Sequence, residues 1–158
     1  MLAWLKAKFW TPLLALLKHG LSPSKLALSI SLGAWIAVFP ALGVTTAFCA
    51  LAALALGLNM VAIQTVNYAA YPLQLLLIFP FFRAGEWLFN AEPLKMSVGE
   101  FAHFVTHEPR AAVQQLWWET WHGAAVWALL GLFVVPAAWA LLTAFFTRIA
   151  RRQARRPA

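Results

Sequence analysis

The sequence predicts an all-α integral membrane protein: a short helical hairpin, two full transmembrane helices, and amphipathic helices at the membrane surfaces. Three observations carry this fold class. Of the 158 residues, 63% are hydrophobic and only 11% charged, against about 45–50% and 25% in soluble domains. From Leu26 to Phe82 there are 57 consecutive residues without Asp, Glu, Lys, Arg or His. As helix that run would extend about 86 Å, nearly three times a hydrocarbon core of about 30 Å. Charge is also segregated: residues 1–25 carry +4, residues 83–119 carry −2 and residues 148–158 carry +5. A soluble enzyme, a disulfide scaffold with its several cysteines and a disordered chain are all excluded. By the positive-inside rule both termini are cytoplasmic and the central block is outside.

The elements follow in order. Residues 1–20 form a cytoplasmic interfacial helix, in which Trp4 and Trp10 suit the headgroup level and Lys6, Lys8 and Lys18 reach water. Lysines interrupt this stretch and no small-residue cleavage site follows, so it does not read as a signal peptide. Residues 21–90 are the membrane core. Ser22-Pro23 is a helix-start signal. An apolar helix over 26–39 stops at Pro40, and a second over 47–57 stops before Asn59. A helix over 60–82 is, at about 34 Å, a full span. The first two helices are shorter than the ~20 residues a crossing normally needs. Two architectures fit them: a re-entrant hairpin that returns to the cytoplasmic side, which the lengths and the "PALGVTT" break at 40–46 favour, or two thin crossings.

Residues 91–119 look soluble. Ser97 and Glu100 make a capping box, and Phe101, Phe104 and Val105 share one face of a helix lying on the outer surface. Pro109 starts the next helix, and Trp117, Trp118 and Trp121 form an aromatic belt at its entry to lipid. Residues 120–147 supply the last span, with a kink expected at Pro136, and residues 148–158 are a basic cytoplasmic tail.

Candidate chemistry is concentrated in the charge-free block. Gln64, Asn67, Tyr71 and Gln74 are spaced three, four and three apart, so on one continuous helix they share a face. Unpaired amides facing lipid would each cost several kcal/mol. They must therefore face protein, water or a ligand, and both interhelical bonding and a lipid or substrate path fit. Pro72 lies inside this stripe and interrupts its hydrogen-bond ladder. At the 40–46 break, the N–H groups of the following helix and the Thr45 and Thr46 hydroxyls suit an anion such as a lipid phosphate. Arg83, three residues before Glu86, could pair with it or touch a phosphate. Ser29, Gly33 and Ala37 on the first short helix, and Cys49, Ala53 and Gly57 on the second, are small residues at spacing four, a pattern that lets helices approach closely in lipid. Cys49 is the only cysteine. Glu100, His103 and His107 share a helical face, as do Glu119 and His122, and histidines four apart can ligate a metal, so a metal site on the outer helix is a further alternative; there is no His-Glu-x-x-His motif, and no cofactor is expected.

The order Ser22-Pro23, Gly33, Phe39-Pro40-x-x-Gly43, Thr45-Thr46, Asn59 and the segment 67–89 resembles a bacterial membrane family catalogued as domain of unknown function two-thousand-sixty-two. The resemblance covers residues 20–90 and implies a bacterial inner-membrane protein, without supplying an activity. Function is then expected to be non-catalytic: binding or translocation of an anionic lipid or lipid-linked group at the break and the amide face. The alternative is an accessory or scaffolding subunit of a membrane complex. Expected partners are membrane lipids, a second copy or another membrane protein. Nucleic acid is not among them, because the basic residues flank apolar spans.

Overall fold

A computed structural model describes residues 22–154. The expected interfacial helix at 1–20 and the last four residues of the basic tail lie outside the described residues. Within them every regular element is an α-helix: α1 (Pro23–Ala37), α2 (Thr45–Leu56), α3 (Met60–Ala69), α4 (Tyr71–Phe89), α5 (Val98–His107), α6 (Pro109–Gln115) and α7 (Trp117–Ala154).

The caps follow local sequence. Ser22 Oγ accepts from Lys25 N–H at 3.2 Å, with Pro23 in the first turn where its missing N–H costs nothing. α1 ends at Ala37, ahead of Phe39, whose place before Pro40 disfavours helix. Gly57 closes α2 at φ 59°, a left-handed conformation that favours glycine, while Leu58 N–H reaches Ala53 O at 2.9 Å. Two residues later Asn59 Oδ1 caps α3 by accepting from Ala62 N–H at 2.8 Å.

The expected single span at 60–82 is instead two helices, α3 and α4, bent by 65° at Ala70. Pro72 is the cause: with no N–H it cannot continue the ladder, and its ring crowds the preceding turn. Ala70 N–H still reaches Val66 O, and Gln74 N–H then restarts the helix on Ala70 O, both at 3.0 Å. Pro80 and Pro136, by contrast, sit inside unbroken helices, so α7 continues through the position where a kink is expected. α7 is 38 residues long and carries the first part of the basic tail in its last turns. It is the one helix among the described residues long and apolar enough to cross a membrane. α3 and α4 meet that test only when joined, so two full spans do not stand as separate straight helices.

α1 lies at the centre, packed on α3, α7 and, less extensively, α2. It runs antiparallel to α7. Ser24 bonds Trp139 and Leu26 shares a core with Phe146, whereas Trp35 stacks on Trp127 and Pro40 sits against Gly123. α2 returns to its starting end, where Lys25 Nζ donates to Gly57 O at 3.3 Å. The hairpin therefore begins and ends at the same end of the bundle, with its tip at 38–44 beside the N-terminal part of α7.

The small residues divide differently from the sequence expectation. Gly33 serves α3, not α2: a Cβ there would lie 2.7 Å from Ile63 O. Ser29 and Ala37 are buried on α1, and Cys49 and Ala53 pack with Ile36 and Ile63. Gly57 is a cap rather than a packing residue. α4 and α7 also approach closely, backbone against backbone: a Cβ on Gly85 would sit 2.5 Å from the His122 carbonyl carbon.

Candidate functional site

The chain between α1 and α2 has no helix to satisfy its backbone, so its carbonyls need partners from elsewhere. Gln74, only 1% exposed, supplies them: its Nε2 donates to Phe39 O at 2.9 Å and to Ala41 O at 3.0 Å. Both acceptors are carbonyls, which requires the amide nitrogen on that side. On α3, Gln64 Nε2 donates to Thr46 O at 2.9 Å. Asn67, 4% exposed, directs its Nδ2 to Gln64 Oε1 at 3.3 Å and to Thr46 Oγ1 at 3.5 Å. Three of the four stripe residues thus converge on segment 39–46, thirty or so residues earlier in the chain for Gln74 and about twenty for the others. The bend at Ala70 removes the fourth: Tyr71 is 49% exposed and does not join them.

The first turn of α2 completes this region. Thr45 is buried and Thr46 exposed, and α2 has no side-chain N-cap, so Thr45 does not cap it. Oriented N–H groups at a helix start favour negative charge. No carboxylate lies in the sequence from Leu26 to Phe82 to compete for them.

At the far end of α4 a second polar cluster ties down the chain leading to α5. Glu86 is buried and pairs with Arg83 Nη1 at 2.9 Å. Its other oxygen accepts from Leu94 N–H at 2.8 Å, while Arg83 Nη2 donates to Leu94 O at 3.2 Å. The guanidinium also lies over the Phe79 ring, 5.0 Å from its centre. Arg83 and Glu86 are thus spent on each other and on one backbone unit. The pair is legible from spacing; its use of Leu94 is not, because the chain leaves α4 after Phe89 and reaches Leu94 through irregular backbone.

The surface helix α5 carries the expected capping box: Ser97 Oγ accepts from Glu100 N–H at 3.3 Å and Glu100 Oε2 from Ser97 N–H at 2.7 Å. These bonds hold the Glu100 carboxyl below the usual carboxylate range. His103 and His107 stack with ring centres 3.9 Å apart, and His107 Nδ1 lies 3.0 Å from His103 O. Among the described residues no group of three or more His, Cys or carboxylate side chains is placed to hold a metal. An open cleft of about 530 Å³ borders Lys95, Met96, Gly99 and the outer face of α5. Glu119 and His122 do not act together either: His122 stacks on Phe89 at 4.8 Å, and Glu119 Oε2 is buried without a hydrogen-bond partner among the described residues.

Sequence spacing missed the aromatic contact between α1 and α7. Trp127 Nε1 donates to Trp35 O at 2.9 Å, the two rings stack at 5.9 Å, and Trp35 lies against Gly131. These residues are 92 apart in sequence and no local pattern joins them.

A family model described as an uncharacterized protein conserved in bacteria, DUF2062, matches residues 7–157, and the chain belongs to that family. The match extends well past residues 20–90 and takes in the surface helix and the last long helix, which the resemblance read from the sequence left out. No curated protein and no solved structure matches the chain.

Proposed function

We propose that this DUF2062 protein is a non-catalytic, multi-pass protein of the bacterial inner membrane, with both termini cytoplasmic, acting as an accessory or scaffolding subunit. The observation that carries this reading is the commitment of Gln64, Asn67 and Gln74 to segment 39–46. A translocation path would need such groups turned toward a passing ligand; here Gln64 and Gln74 donate to the protein's own backbone and Asn67 to the Thr46 and Gln64 side chains. The result is a braced core with its outer helices uncovered. Few residues in the most apolar stretch of α7 are fully buried by the rest of the described chain. Leu132, Phe133 and Leu141 of α7 and Leu51 and Leu54 of α2 are all strongly exposed. In water such a surface would drive association; in a bilayer it suits lipid tails and neighbouring helices.

The membrane arrangement rests on three supports. The candidate span of 35 residues in α7 is about 52 Å of helix, ample for a core of about 30 Å. The bent pair α3–α4 provides a second, broken crossing. The hairpin is as deep as the stretch of α7 it accompanies, from Trp139 or Phe146 to Gly123. That is about 24–34 Å, so its tip reaches the level of the opposite headgroups. Short helices suffice because the irregular residues after Ala37 add reach.

Binding of an anionic lipid group at the break keeps one supporting observation, the absence of a side-chain cap on α2. One experiment separates the readings. The protein is extracted into lipid nanodiscs, and the variant with Gln64, Asn67 and Gln74 all replaced by alanine is compared for helicity, particle mass and retained lipid. Loss of a stoichiometric protein component, with lipid unchanged, is the expected result. Loss of anionic lipid from otherwise unchanged particles would transfer the function to the break.

A further inference from the structure

Among the described residues, one amphiphilic stripe on α7 has no partner. Leu130, Val134, Ala137, Leu141, Phe145 and Arg148 follow one another at spacings of three or four, so they share a helix face. All six are exposed; Leu141 reaches 73%. The stripe begins where cover ends. α4 and the hairpin tip occupy Gly123 and Val126 toward the N-terminus, while α1 takes the flank through Gly131 and Phe146. From Leu130 to Phe145 it extends about 22 Å, more than the ~15 Å depth of one leaflet. It stops at a guanidinium.

We infer that this stripe is a binding site for an anionic phospholipid, with an acyl chain along Leu130–Phe145 and the phosphate on Arg148. Charge complementarity selects the occupant. Every carboxylate of the chain lies between Glu86 and Glu119. Arg148 is 29 residues beyond Glu119 along one continuous helix, about 44 Å away. Its end of the bundle instead gathers Lys25 and Arg151, and the adjoining sequence adds Arg152, Arg155 and Arg156. A soluble acidic partner would match the charge but would leave the apolar length bare, whereas a phospholipid matches both. A planar guanidinium also binds phosphate oxygens in pairs, which an ammonium cannot.

The inference rests on the membrane reading above, and the experiment distinguishes their failures. The full chain is reconstituted in nanodiscs of equal phosphatidylglycerol and phosphatidylcholine, then released into detergent, and the retained lipids are counted by native mass spectrometry. The protein is expected to keep phosphatidylglycerol in preference. Arg148→Gln is expected to cut that preference about fivefold, the effect of one basic residue at an anionic surface. Arg148→Lys keeps the charge and is expected to retain part of the preference, which guards against misfolding as the cause. Arg151→Gln changes the same net charge off the stripe and is expected to leave the preference nearly intact. Equal retention of the two lipids by the unaltered chain overturns the site, as does equal loss in Arg148→Gln and Arg151→Gln. Failure of the chain to enter the nanodiscs overturns the membrane reading and the site together.

Discussion

Two loops are tied to α4, and by opposite chemistry. At its start Gln74 binds the carbonyls of Phe39 and Ala41 with a neutral amide; near its end Glu86 and Arg83 bind both backbone groups of Leu94 with a charged pair. The neutral clamp is almost wholly enclosed, while the Arg83 side chain is 42% exposed. The difference follows desolvation. Taking charges out of water costs several kcal/mol per ion even when they pair, far more than for an amide. Ions are therefore affordable where one partner still meets water, and amides serve where neither does.

That contrast can be broken by experiment, beginning with its stronger side. Gln74→Leu preserves bulk but strands two carbonyls in an apolar setting. It is expected to cost about 2–4 kcal/mol in denaturant unfolding in detergent micelles. A loss below that of Glu86→Gln would reverse the ranking. Gly85→Ala tests packing without any polar bond: the new methyl would meet the His122 backbone, which cannot swing aside, and about 1–3 kcal/mol should be lost. Full stability in that variant would mean that α4 and α7 can part freely.

Glu86→Gln keeps an acceptor for Leu94 but removes the ion pair. With Arg83 partly solvated, about 1 kcal/mol is expected, together with faster amide exchange over 90–96. A loss as large as that of Gln74→Leu would show the charged tie to be the deeper one. The smallest effect belongs to Ser97→Ala, which should raise amide exchange several-fold in α5 alone. Glu100 sharpens the same point through pH. Its carboxyl titrates lower in the folded chain than when unfolded, so its support for α5 is complete above the unfolded value. That support disappears as pH falls through the folded value. Helicity of α5 that held steady under acid would remove the capping box from the account.

The residues that sequence reading set apart were largely those that matter to the core, but their uses were visible unevenly. Asn67 and Gln74 had to find partners, since apolar surroundings offer none; that they would close on Phe39, Ala41 and Thr46 required knowing how the hairpin folds back. Tyr71 was grouped with them only on the premise of a straight helix, which Pro72 refutes. Gly57 matched a packing pattern by spacing, yet its left-handed φ makes it a cap. Gly85, Gly123 and Gly131 lay outside every pattern because their neighbours come from other helices.

The sequence by itself determined the helical class, the caps at Ser22 and at Ser97 with Glu100, and the separation of basic from acidic ends. Each depends on composition or on groups within a few residues, where backbone geometry fixes distance. Only the tertiary structure decided the bend at Ala70, the partners of the amides, the approach of Gly33 to Ile63 and the uncovered stripe ending at Arg148. Those depend on atoms brought together from distant segments, and such distances are set by how whole helices pack rather than by local sequence spacing.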